Sequence, residues 1–304
     1  MLKSFNSLLQ MMQAIPDEQI AIDHFTAIRW KNGAFCPDCG STKVYHFSDK
    51  RTHKCGDCRK RFSIRVGTIF EDSKLPIRTW LLAIWLITSH KKGIASTQLA
   101  KDLGITQKSA WFVTHRLRHA IRTQSFNRPL NGVVEADETF IGGKEKNKHA
   151  AKRIGGMQGG KGKIAVLGIL ERDGELRTGV TPNLTAKSVQ TVIRKNVAKG
   201  SSVMTDEHGA FLGLQGDYSH HRVNHSAGEY VRHYCLHTNG IESVWALFKR
   251  QIIGTHHWMS PKHIGRYLGE MTWRFNLREM AEGDRVNALL AQTAGRLTYK
   301  ALIA

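Results

Sequence analysis

The chain has no apolar run near the ~20 residues that cross a bilayer. The longest, Trp80 to Thr88, is 9 residues, so no membrane-spanning helix is expected. Between Met1 and Trp30 no apolar block is followed by a small-residue cleavage site, and Asp17, Glu18 and Asp23 interrupt the stretch. A secretory signal is therefore not expected, and the protein reads as soluble and cytoplasmic. Proline is scarce, 6 in 304 residues, which leaves room for long regular elements. Acid is scarce as well: 25 Asp and Glu stand against 45 Lys and Arg, a net charge of +20. Such an excess is the footprint of a polyanion binder, with nucleic acid as the first candidate. The basic residues are spread along the chain and gathered on no long amphipathic helix, so a membrane surface fits less well. Only five cysteines are present, and four form two close pairs, a pattern that in a reducing compartment points to metal and away from disulfides.

With 41% hydrophobic residues the chain can bury a substantial core in two or three domains. Two short helices open it, the second entered at Pro16. Cys36-Pro-Asp-Cys39 is separated by 15 residues from Cys55-Gly-Asp-Cys58. This is zinc-ribbon spacing: two knuckles each present two thiolates, and the metal replaces a core that so few residues cannot build. Four sulfur ligands leave no open position, so Cys36, Cys39, Cys55 and Cys58 are read as a structural Zn²⁺ site. Lys54, Arg59, Lys60, Arg61 and Arg65 would help it dock on DNA. Ser73 is placed to cap a helix, apolar nearly all round, that has Pro76 in its first turn. Ser96 to Thr106 then reads as a helix, a turn at Gly104 and a new helix capped by Thr106, the grammar of a helix-turn-helix. Ala110, Val113 and Leu117 fall on the inner face of the second helix. Gln107, Lys108, Thr114, His115 and Arg118 fall outside, where they would meet a DNA groove unless the pair is purely structural.

Arg122 to Asn131 reads as a linker. Beyond it, Val133 to Asp137 is a strand ending in an acid, Lys163 to Leu170 a second strand and Glu175 to Val180 a third. A helix follows at Ala186 to Lys199, then a fourth strand at Ser202 to Thr205 with Asp206 just past it. The order describes an α/β domain with a mixed sheet and carboxylates at strand ends. Gly142 to Lys163 holds 7 Gly and 7 Lys or Arg in 22 residues; it is either a phosphate-tracking loop or an inserted hairpin. Asp137, Asp206 and Glu242, the last opening an amphipathic helix from Asn239 to Ile252, make a candidate trio of metal-binding carboxylates. Phosphodiester chemistry uses two divalent ions about 4 Å apart, held by acids converging from separate elements. Lys249 lies about two turns after Glu242 and Asn239 about one turn before it, all on one face. Five histidines from His220 to His237 match no familiar ligand pattern.

Several segments together carry a resemblance: the four cysteines, Glu135-Ala-Asp-Glu-Thr-Phe-Ile-Gly-Gly143, Thr205-Asp-Glu207, His237-Thr-Asn-Gly-Ile-Glu-Ser-Val-Trp245, Phe248-Lys-Arg250, Gly254-Thr-His-His257 and Arg274-Phe-Asn276. Over nearly its whole length the chain resembles DDE-type insertion-sequence transposases of the ISXO-type group with an N-terminal zinc ribbon. The resemblance implies a ribonuclease-H-like, mixed-sheet catalytic domain at residues 126–304. Before it would come a helical lead with the zinc ribbon at 1–70 and the helix-turn-helix at 71–125. It implies Mg²⁺ or Mn²⁺ held by Asp137, Asp206 and Glu242, with Asn239 as the other choice for third ligand; a carboxylate is the better ligand for a hard cation. Water would attack at an element end, and the freed 3′-hydroxyl would then attack target DNA. The partners implied are double-stranded DNA, as terminal repeats and as target, and further copies of the chain in a dimer or higher assembly. The alternatives are a DNA-binding regulator with an inactive nuclease-like domain and a metal-dependent nuclease that does not join.

Overall fold

The computed structural model describes residues 3–122, 128–143, 147–153, 160, 162–227, 231–232 and 235–303. The chain divides into two compact units, residues 1–125 with 277–304 and residues 126–276. No helix among the described residues is long and apolar enough to cross a membrane.

The first unit opens with α1 (Leu8–Ala14) and α2 (Glu18–Arg29), whose first-turn amides are accepted by the side chains of Ser7 and Asp17. The antiparallel ribbon β1 (Val44–His46), β2 (Thr52–Cys55) and β3 (Arg61–Ser63) follows. Next comes α3 (Ile77–Ser89), buried on nearly every side. Ser73 does not cap α3. Its hydroxyl accepts from Leu75 N–H and Trp80 Nε1–H, while Glu18 accepts the Ile77 and Arg78 amides at 2.8 and 2.9 Å. A carboxylate distant in sequence thus does the capping, and it suits the positive end of the helix. The pair α4 (Ser96–Leu103) and α5 (Gln107–Arg122) is joined through Gly104, whose φ of +62° ends α4 in the left-handed region.

The C-terminal helices lie elsewhere than expected. Residues after Asn276 were assigned to the catalytic domain, but α9 (Glu282–Ala291) packs on α2 and α3 of the first unit. There the Thr293 carbonyl accepts the Ile69 amide, and α10 (Tyr299–Ile303) closes the chain. An apolar stripe such as Val286, Leu289 and Leu290 states that a helix is covered but not by what.

The second unit is a five-stranded sheet in the order β6-β5-β4-β7-β8. Its strands are β4 (Val133–Ile141), β5 (Ile164–Glu171), β6 (Leu176–Thr181), β7 (Ser202–Thr205) and β8 (Ser219–Arg222). The first three pair antiparallel, and β7 and β8 add in parallel. This mixed order is the ribonuclease-H-like arrangement. Alternation along the strands builds two cores. Val134, Ala136, Leu167 and Ile169 face the helix α6 (Ala186–Asn196). Val166, Leu170 and Leu176 face α7 (Asn239–Gln251) and α8 (Ile264–Asn276).

Asp137 lies mid-strand, because β4 continues to Ile141. Opposite Asp137 on β5 is Gly168. A Cβ there would come within 2.4 Å of the Trp245 ring and 2.9 Å of Ile241 Cδ1, so α7 seats directly on the sheet where a side chain is missing. Gly168→Ala is expected to push α7 outward at a cost of about 1–3 kcal/mol, the usual penalty of overpacking. A lowered midpoint in thermal unfolding of the full chain would register it, and an unchanged midpoint would contradict this packing.

Candidate active site

The register of the sheet sets the site. Val133, Val134 and Glu135 of β4 pair with Ser202, Val203 and Met204 of β7. The same offset carried two residues further places Asp206 level with Asp137, just where β7 ends and leaves the flank of β4 open. Glu138, next on β4, reaches the same space, and oxygens of Asp137, Glu138 and Asp206 all lie within 4.8 Å of one another. Asp206 Oδ1 accepts the His208 amide at 3.0 Å, and His208 Nδ1 is 3.6 Å from Glu138 Oε1. Glu242, in the first turn of α7, is not a member of this group, although its charge is felt at Asp137. Its Oε1 accepts the Thr238 hydroxyl at 2.8 Å, and His225 Nε2 lies 3.0 Å from both Thr238 Oγ1 and Glu242 Oε1. The His225 amide is in turn held by Glu207 at 2.9 Å.

The electrostatics are those of a cation site. Burial first, then the charges of Asp206, Glu138 and Glu242, push the Asp137 carboxyl up to about 8. Burial and Asp206 likewise raise Glu138, with His208 opposing. Like charges gathered in a half-buried place resist ionisation unless a cation joins them. Hard, all-oxygen donors suit a divalent ion of the Mg²⁺ or Mn²⁺ kind.

Glu138 was not foreseen in the sequence. It directly follows Asp137, but strict alternation assigns it to the opposite face of the strand; the early end of β7 is what lets it reach Asp206. Asn239 and Lys249 are exposed on α7, and Lys249 is about 10 Å along the axis from Glu242. Of the segment 142–163, residues 144–146, 154–159 and 161 lie outside the described residues, as does His233. The other histidines of that cluster bind separate partners. His220 is hydrogen-bonded to Thr205, and burial lowers its pKa to about 4. His221 meets Ser219 and His237 meets Arg172. Among the described residues the cluster forms no second metal group.

The expected groove-facing set needs correction. Gln107 and Lys108 are exposed, but Thr114, His115 and Arg118 are only 0, 0 and 2% exposed. Thr114 donates to the Trp111 carbonyl, the His115 ring packs tilted against Trp111 with centroids 4.1 Å apart, and Arg118 donates to Thr114. The helix is covered on most of its circumference, whereas periodicity revealed only its strongest apolar stripe.

In the ribbon the four cysteine sulfurs lie within 4.8 Å of one another, with Cys36–Cys58 at 3.7 Å and Cys39–Cys55 at 3.6 Å. A tetrahedral ion with bonds of ~2.3 Å needs sulfurs about 3.8 Å apart, so the thiols fit zinc. Burial opposes ionisation of Cys55, but the Cys58 and Asp57 amides and neighbouring thiols bring it to about 6. Each knuckle turns through a left-handed residue just after its second cysteine, Gly40 with φ +76° and Arg59 with φ +63°.

A ribonuclease-H-like sheet with one acid on its central strand and a second level with it on the parallel neighbour is an arrangement compatible with divalent-metal phosphoryl transfer. Comparison with known proteins makes the class specific. Residues 129–276 match the ISXO2-like transposase domain and residues 16–61 the transposase zinc-ribbon domain. The chain belongs to the ISXO2-like family of DNA transposases. It is 28% identical over 259 residues to a protein of Halobacterium salinarum described as "Uncharacterized protein in transposable element ISH50", covering 80% of this chain and 84% of that one. It is 33% identical over 104 residues to an "Uncharacterized transposase-like protein" of Haemophilus influenzae, covering 34% of this chain and 82% of the relative. A remoter likeness is to the Mos1 strand transfer complex, at 11% identity and a TM-score of 0.28 over 64% of this chain and 70% of that one.

Proposed function

We propose that this transposase binds double-stranded DNA at the terminal repeats of an insertion sequence, cleaves there, and joins the freed 3′ end to target DNA. The observation that carries this reading is the level placement of Asp137 and Asp206 in an acidic cluster whose mutual repulsion calls for cations. Asp137, Asp206 and Glu242 are assigned to hold Mg²⁺ or Mn²⁺, with Glu138 contributing beside them. Asn239, an exposed amide at the start of α7, is the weaker donor for a hard cation. When bound, divalent cations neutralise the charge developing on the phosphodiester and activate the attacking hydroxyl. Lys249 lies on the same helix face as Glu242 and is assigned to a DNA phosphate. Exposed Lys108, Arg59, Lys60 and Arg61 supply positive charge for the duplex, and exposed Gln107 adds a neutral hydrogen-bonding amide. Zn²⁺ on the four cysteines is structural. The protein works as a dimer or higher assembly on DNA, in the cytoplasm.

The test is an assay of the purified full chain on duplexes ending in the terminal repeats, with Mg²⁺, with Mn²⁺ or with chelator. Nicks that leave a 3′-hydroxyl, followed by covalently joined products, are expected only with the ions. Nicks without joining would leave a nuclease, and no ion-dependent cutting at all would overturn the reading.

A further inference from the structure

We propose that Glu135 and Arg172 form a clamp that caps α7 from the central strand and thereby sets the height and rotation of Glu242 over Asp137. The proposal rests on the reading of Glu242 as a metal ligand.

Helix α7 lacks a side-chain cap of its own: Thr238 stands at the capping position but gives its hydroxyl to Glu242. A helix start leaves several amides without partners, and each must find one. Glu135 supplies it across 106 positions of sequence, Oε2 accepting the Ile241 amide at 2.9 Å. Glu135 lies two residues before Asp137 on β4, so both project from the face that carries α7. Its other oxygen accepts from Arg172 Nε at 2.8 Å. Arg172 spends its remaining donors on the segment entering α7: Nη1 on the Cys235 carbonyl at 2.8 Å, and Nη2 on the His237 carbonyl and Nδ1, each at 3.0 Å. Its own amide is held by the Val133 carbonyl at 2.9 Å, at the start of the same strand. Position 240 is glycine, and a Cβ there would lie 2.7 Å from Glu135 Oε2. The absent side chain is what lets the carboxylate reach the helix.

A buried ion pair is a poor device for stability alone, since apolar residues of like volume do as well or better. The Glu135 side chain is 1% exposed. What the pair offers and an apolar pair cannot is direction: one carboxylate fixes the amide of residue 241, the immediate neighbour of Glu242, while one guanidinium fixes residues 235 and 237. Asp137 and Glu135 share one strand, and Arg172, just past β5, is tied to the start of that strand through its amide. The distance between the ligands is thus set by the sheet on one side and by the four hydrogen bonds that reach residues 235, 237 and 241 on the other. Metal-ligand supports of this kind typically control 10–100-fold of metal affinity or activity.

The test compares the full-length wild type with Glu135→Gln and Arg172→Lys. Glutamine keeps an acceptor for Ile241 but loses the charge facing Arg172; lysine keeps the charge but cannot reach residues 135, 235 and 237 together. Mn²⁺ affinity is measured calorimetrically without DNA, alongside thermal unfolding and cleavage. Both variants are expected to stay folded, with Mn²⁺ affinity lowered roughly 10–100-fold and cleavage falling in step at low ion concentration. A folded variant with unchanged Mn²⁺ affinity and cleavage overturns the clamp, and so does failure of both variants to fold, because the role would then be structural. A Glu242→Ala background separates the two claims. If Glu242→Ala alone leaves Mn²⁺ affinity intact, the ligand assignment fails. If it lowers affinity and Glu135→Gln lowers it further by its full factor, the clamp does not act through Glu242 and is rejected.

Discussion

Asp137→Asn is expected to reduce cleavage about 10³-fold or more while leaving affinity for end-bearing DNA close to that of the wild type. The divalent ions this site is built for contribute several kcal/mol at the transition state, and each 1.36 kcal/mol is tenfold in rate. DNA binding is assigned to the exposed basic residues of the ribbon and the helix pair, which the change does not touch. Gel-shift and nicking assays on the same duplex separate the two effects, and full-speed cutting by the variant would remove Asp137 from the site.

The same substitution has a second, opposite effect that guards against a trivial loss of fold. The Asp137 carboxyl, held up to about 8 by burial and its acidic neighbours, keeps a proton that the unfolded chain releases near pH 4. Between those values the native state binds more protons than the unfolded state, so the group's contribution to stability declines as pH rises and is lost above pH 8. Asparagine has no such dependence. Without divalent ions the variant is therefore expected to match the wild type near pH 4 and to melt higher at pH 8. Adding Mg²⁺ should reverse the order at pH 8, because only the wild type gains a bound ion. Thermal unfolding at the two pH values, with and without Mg²⁺, gives four comparisons, and a variant less stable in all of them would contradict the assigned electrostatics.

Why these acids were visible in the sequence, and their arrangement was not, follows from what periodicity encodes. Asp137 and Asp206 interrupt or follow apolar strands, which marks them without further information. Their being level depends on β7 pairing with β4 in parallel at an offset of 69 residues, and no local pattern states a register between distant strands. Glu138 was missed because alternation places it on the face opposite Asp137, and only the folded position of Asp206, past the end of β7, brings all three carboxylates together. The glycines at 168 and 240 read as ordinary small residues until α7 is seated on them. Thr114, His115 and Arg118 were misplaced because a helical wheel ranks sides by apolar content, whereas α5 is covered on polar sides too. The ribbon, by contrast, was legible from spacing alone, since four ligands to one ion must converge whatever the intervening loops do.

That legibility has an energetic counterpart, and it sets the second large effect. The ribbon's buried cluster consists of Cys36, Cys55 and Phe62, with Trp30, Val44, Cys58 and Val66 packed against it. Three of its seven members are therefore the ligands themselves. Strands of three and four residues cannot stand on so small an apolar core. Structural zinc contributes about 10–16 kcal/mol of binding free energy in comparable small sites, which is comparable to the whole stability of many domains. Zinc stripping by a strong chelator is thus expected to unfold residues 36–66 while the sheet of the second unit, with its own two cores, keeps its structure. One equivalent of zinc should be released, protease cuts should appear within 36–66, and zinc but not magnesium should reverse both. Cys55→Ser should reproduce the stripped state, because Cys55 is buried within the thiol cluster and a hydroxyl is a far poorer zinc ligand. With the ribbon unfolded, Arg59, Lys60 and Arg61 lose their fixed spacing, so affinity for end-bearing DNA should fall together with cleavage, whereas Asp137→Asn lowers cleavage alone. A chelated protein whose ribbon still resists protease would show that the apolar residues suffice, and that the four sulfurs hold no structural ion.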